Sequence, residues 1–102
     1  MSKKESCPAC KKSTARDEEL KRKLLNRLRR IEGQVRGIEA MIEADAYCSD
    51  VLTQSAAVNA AINAFNRELL ACHIRGCVRS DLLAGDESVV DELVDTMQKL
   101  MR

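Results

Sequence analysis

The sequence predicts an all-α chain of three helices that self-associates into a four-helix bundle. Three observations carry this. Apolar residues recur at alternating steps of three and four along most of the 102 residues, the period of a helix with one buried face. Aromatic residues are scarce, with one Phe, one Tyr and no Trp, so the core must be Leu, Ile, Val, Ala and Met, which suits packed helices better than sheets. No strand-like alternation or internal repeat occurs, and there is a single proline. A lone chain of this size buries only about two thirds of its unfolded surface, so association supplies stability that one copy lacks.

Residues 1–13 read as a flexible polar tail, with a helical domain over residues 14–102. The tail carries Cys7-Pro-Ala-Cys10. One such pair is half of a four-cysteine zinc site, so Cys7 and Cys10 are read as a redox or metal-acquiring pair, or as one that joins a second copy in an oligomer. The opening "MSKKESCPACKK" is too polar for a secretory signal, and no apolar run reaches membrane-spanning length. A cytoplasmic protein without a membrane partner is expected. There thiols stay reduced, and five cysteines point to metal or redox chemistry.

The first helix should start near Thr14 to Asp17, with Asp17, Glu18 and Glu19 favoured at its positive end. Its apolar row is Leu20, Leu24, Leu28, Ile31, Val35, Ile38 and Ile42. Arg22, Arg29 and Arg36 repeat every seven residues on roughly the opposite face, and Lys23, Arg27 and Arg30 widen that stripe. Residues 21–36 hold seven Lys or Arg against one acid, Glu32, a local +6 in a chain of net charge +1. A charge block of this kind is a candidate nucleic-acid footprint, although many basic helix faces are merely solvated.

"EADAYCSD" interrupts the pattern. Ser49 or Asp50 is a candidate cap for a second helix reaching about Leu83, with Leu52, Ser55, Val58, Ile62, Phe65 and Leu69 as its seam. Gly85 ends it. Ser88 or Asp86 then caps a short third helix whose inner face is read as Val90, Leu93, Met97 and Leu100.

The reactive side chains collect in "LLACHIRGCV", which holds the only histidine. On a helix His73 and Cys77 are neighbours one turn apart, while Cys72 points elsewhere and reads as packing. Cys48 lies 25 residues before His73, about 37 Å along a helix. The three cannot meet in one chain, but they can meet between two chains packed antiparallel, giving two equal sites per two-fold dimer. Two thiolates and an imidazole form a soft set. Zinc prefers four ligands, so three lean toward Cu(I). The bland alternative is a small buried cysteine and an ordinary helix-surface histidine.

"NRLRRIEGQVRGIEAMIEADAYCSDVLTQSAAVNAA", followed by "LLACHIRGCV", closely resembles the CsoR-type copper-sensing repressors over about residues 18–102. The most specific features are the run "RIEGQVRGI" and the spacing Cys48, His73, Cys77. The resemblance implies antiparallel dimers that pair into a flat homotetramer and bind double-stranded operator DNA without a helix-turn-helix. It implies Cu(I) held by Cys48 of one chain and by His73 and Cys77 of the partner chain. Metal binding would release the DNA and derepress copper-resistance genes. It further implies Tyr47 and Glu92 as supporting groups around the ligands, although the "AGDESVVDEL" turn is one residue short of the family pattern at Glu92. The family's basic face maps onto Arg22, Arg29, Arg30 and Arg36, with Arg75 and Arg79 as lesser candidates. Cys72 and the Cys7/Cys10 tail depart from the motif and are possible accessory thiols.

Relatives with other ligand sets sense nickel or cobalt, formaldehyde, or persulfides. Cys77 argues against the first two types and His73 against the third. The alternative reading is a thiol or persulfide-sensing repressor of the same fold, using Cys48 and Cys77. A copper buffer with solvated arginines is a further reading. An enzyme is not expected: there is one His, no carboxylate paired with a nucleophile, and no phosphate-cradling loop.

Overall fold

The computed structural model describes residues 16 and 18–101. Its helices are α1 (Glu18–Glu43), α2 (Cys48–His73), a π turn (Ile74–Val78), α3 (Arg79–Leu83) and α4 (Ser88–Leu100). No strand occurs among the described residues. Since α2, the π turn and α3 follow without a break, the chain makes three helical rods, as predicted. The second rod is interrupted at His73 instead of running as one α-helix to Leu83. The predicted cap positions 14, 15 and 17 and the cysteine pair of the tail lie outside the described residues. The chain divides into two compact units, Glu18–Arg67 and the residues from Glu68 on.

In the first unit, Glu18 and Glu19 occupy the first turn of α1. They pair with Lys21 at 4.0 Å and Arg22 at 3.9 Å. These exposed i,i+3 pairs contribute only a few tenths of a kcal/mol. Packing matters more. Leu24 and Ile31 are buried, and Leu20, Arg27, Gln34, Ile38 and Met41 are half-buried. The inner row therefore steps 20, 24, 27, 31, 34, 38, 41. Leu28, Val35 and Ile42, assigned to that row from the sequence, are exposed together with Leu25. The apolar arc of α1 is wide, and only one side of it is covered by the described residues.

The first unit's connection is built by its backbone. The Ala46 N–H donates to the Met41 carbonyl at 2.9 Å, and the Asp45 N–H donates to the Ile42 carbonyl at 3.1 Å. Asp45 takes φ 56. This is a Schellman stop with an aspartate in the left-handed position that glycine favours. The next helix opens on the Tyr47 carbonyl, which accepts from the Asp50 and Val51 N–H groups at 3.0 and 3.1 Å. Tyr47 therefore holds the cap position, and α2 begins at Cys48, earlier than Ser49 or Asp50 would have set it. Val58 is the buried residue of α2, while Leu52 is 68% exposed.

In the second unit, Cys77, Val78 and Val89 are buried, and α4 packs on the π turn. A second Schellman stop ends α3. Gly85 has φ 92, the Asp86 N–H donates to the Asp81 carbonyl at 2.9 Å, and the Gly85 N–H donates to the Leu82 carbonyl at 3.0 Å. The Asp86 carboxylate then accepts from the backbone N–H of Ser88 at 3.0 Å and from its hydroxyl at 2.6 Å. On α4 the inner residues are Val89, Leu93 and Thr96. Val90, Met97 and Leu100, read as inner from the sequence, are exposed with Val94. Neighbouring valines at 89 and 90 make these two registers hard to separate by pattern. No described helix is long and apolar enough to cross a membrane.

Candidate metal centre and basic face

Cys48 is the first residue of α2 and His73 its last. Cys48 is exposed, in the unit that begins with α1. His73 is half-buried and Cys77 buried, both in the second unit. Cys77 belongs to the π turn, which starts immediately after His73. Cys48, Cys72 and Cys77 form no disulfide. Among the described residues, no three His, Cys, Asp or Glu side chains form a group able to hold a metal.

The donor types still fit a soft metal: a thiol and an imidazole at one end of a long helix, and a second thiol at the other. Tyr47, beside Cys48, is 74% exposed, and Glu92 is exposed on α4. Cys72 is half-buried next to His73, in keeping with a packing residue.

The six arginines singled out from the sequence are all exposed. Arg22, Arg29, Arg30 and Arg36 lie on α1, Arg75 in the π turn and Arg79 at the start of α3. Arg29 stands about 200° round the helix from buried Ile31, so the heptad stripe points away from the core. Arg29 donates to the Asn26 side-chain oxygen at 3.4 Å, a long contact. Lys23 is exposed and extends the basic arc, whereas Arg27 is half-buried in the inner row and does not belong to the stripe. Excess positive charge on an exposed face favours phosphate contact.

Beside the stripe runs a groove of about 600 Å³ lined only by α1. Leu25, Leu28, Ile31 and Val35 supply its apolar wall, and Arg29, Glu32, Arg36 and Glu39 alternate in charge along it. The sequence pattern placed part of this wall in the core. It did not foresee the π turn. The one local signal was Gly76 at its centre, a residue that weakens α-helix.

The chain matches, over residues 20–99, the profile of a family described as metal-sensitive transcriptional repressors. It is 45% identical over 83 residues to the copper-sensing transcriptional repressor CsoR of Bacillus subtilis, spanning 80% of this chain and 82% of that protein. It is 43% identical over 76 residues to the copper-sensing transcriptional repressor RicR of Mycobacterium tuberculosis, spanning 74% of this chain and 79% of the relative. The crystal structure of the copper-sensing repressor CsoR with Cu(I) from Geobacillus thermodenitrificans superposes with a TM-score of 0.84 at 35% identity, covering 88% of this chain and 95% of that one. Helical architecture, residue pattern and relatives agree: this chain belongs to the metal-sensitive transcriptional repressor family.

Proposed function

We propose that the protein is a Cu(I)-responsive repressor that binds operator DNA in its metal-free form and leaves it when Cu(I) binds, derepressing copper-resistance genes. One observation carries the reading: the soft donors sit at the two ends of α2, Cys48 at its start and His73 with Cys77 at its close. An antiparallel two-fold dimer brings the start of one α2 beside the close of the other. Cu(I) is then held by Cys48 of one chain and by His73 and Cys77 of the second copy. Bound there, Cu(I) supplies a strong thiolate–imidazole link between chains. Tyr47 and Glu92 support the ligands from beside them.

The DNA contact is made by Arg22, Arg29, Arg30 and Arg36, with Arg75 and Arg79 at its edge. Guanidinium groups suit this work because they stay charged and bind phosphate through two N–H groups. Dimers pair into a homotetramer, which covers the exposed apolar rows of α1 and α4 and broadens the basic surface. The protein works in the cytoplasm, where its thiols are reduced.

An anaerobic Cu(I) titration against a competing chelator tests the reading. One tight Cu(I) per chain, lost in Cys48→Ala, is expected, together with release of duplex DNA. Weak binding, or binding indifferent to Cys48, overturns it. DNA release by polysulfide without metal would move the function to thiol sensing by Cys48 and Cys77.

A further inference from the structure

α2 runs unbroken from Cys48 to His73. Along it, Cys48, Leu52, Ser55, Asn59, Ile62 and Asn66 recur at alternating steps of four and three, the spacing of a helix–helix seam. At about 100° per residue they fall on one arc about 80° wide, and His73 shares it. This arc lies beside buried Val58 and is largely open. Leu52 is 68% and Ile62 40% exposed, Ser55 and Asn59 are exposed, and Asn66 is half-buried. Its middle is polar. The Thr53 hydroxyl donates back to the Ser49 carbonyl at 2.9 Å, the local bond that helix hydroxyls favour. The side chains of Ser55, Asn59 and Asn66 make no hydrogen bond among the described residues.

We propose that Asn66 reaches across to Ser55 and Asn59 of a second copy, and that these bonds, made twice per two-fold dimer, set the register of the paired α2 helices. This rests on the copper-site reading above. A metal shared by His73 and Cys77 sits about level with residue 75 of its helix. Cys48 of the second copy must reach the same level. In an antiparallel two-fold pair the axis then crosses α2 midway between residues 61 and 62, and Asn66 comes level with residue 57 of the second copy. That level lies between Ser55 and Asn59, and the direction of Asn66 around the helix also bisects theirs. The asparagine amide has two N–H donors and a carbonyl acceptor, enough for a hydroxyl and a second amide. A slip of one turn, about 5.4 Å, seats the amide beside Leu52 or Ile62 instead and forfeits the bonds. Polar residues on a helix–helix seam fix register at a cost in stability. Here that cost holds Cys48 level with the donors of the second copy.

Charge tests the contact. Asn66→Asp or Ser55→Lys alone puts an unpaired charge in the seam and should weaken self-association about tenfold or more, read by sedimentation of the metal-free full-length chain. Together the two should pair across the chains and restore association to within about threefold of the wild type. Asn66→Asp with Gln54→Lys, which adds the same charge at an exposed position off the arc, should stay weak. Removing the polarity tests the register. Ser55→Ala, Asn59→Ala and Asn66→Leu together should associate at least as tightly as the wild type, yet bind Cu(I) about threefold or more weakly in anaerobic chelator competition. A role in stability alone would move both affinities the same way. Single charge variants that associate like the wild type, or a charge pair no better than its components, overturn the contact. Unchanged or tighter Cu(I) binding by the apolar variant overturns the register role. A wild type that takes up no Cu(I) overturns the copper reading instead, while sedimentation still decides the contact.

Discussion

Mixing two defective chains gives a quantitative test of where the copper site is assembled. Cys48→Ala lacks the donor at the start of α2, and Cys77→Ala lacks the thiol of the π turn. Each homodimer then has two incomplete sites. In a mixed two-fold dimer, one site receives Cys48 from the second variant and His73 and Cys77 from the first, so it is complete; the other lacks both thiols. Equal amounts exchanging at random give half mixed dimers, each with one good site of two. The mixture should therefore hold about one quarter of the wild-type tight Cu(I). Neither variant alone should hold any. The assay is anaerobic chelator competition after co-refolding, with the wild type refolded in parallel. A mixture as empty as its components would refute assembly across chains. So would tight binding by one variant alone.

Other outcomes follow from the same geometry. Alanine at Arg22, Arg29 or Arg36 should lower the slope of log DNA affinity against log salt by about 0.9 for every copy whose arginine meets a phosphate, whereas Arg27→Ala, from the inner row, should leave the slope unchanged. Aspartate at Leu28 or Val35, both exposed in the single chain, should lower the oligomeric mass seen by sedimentation while helix content persists. Gly85→Ala forces an L side chain into φ 92 and should cost about 1–2 kcal/mol in chemical denaturation, while Asp45→Gly, at φ 56, should gain about 0.5–1 kcal/mol.

Much of the architecture was legible because its signals are local. Gly85 marks the end of the second rod, and "EADAYCSD" marks the first connection although its left-handed residue is Asp45. The 25-residue spacing put Cys48 and His73 at opposite ends of one helix. The register of burial was harder to read. Leu24, Leu28, Ile31 and Val35 all satisfy a helical period, and composition cannot say which side faces the same chain and which is left open. Val89 and Val90 present the same ambiguity on α4. The π turn left almost no trace, because slipping one hydrogen-bond ring changes no residue and breaks no helical pattern. Gly76 hinted at weakness there but not at its form. The proposed assembly between chains rests on symmetry and helix length together, and neither thiol position suggests it separately.

The two-sided apolar arc of α1 also has a consequence for dosage. On the proposed dimer, Leu28, Val35 and Ile42, exposed in one copy, are covered when a second copy arrives, and folding and assembly become one equilibrium. The stability of each chain then depends on how many copies surround it. A tenfold dilution costs a dimer about 1.4 kcal/mol relative to its separated chains. Scarce copies melt earlier and reach proteases sooner, so the amount of working repressor rises more steeply than the amount synthesised.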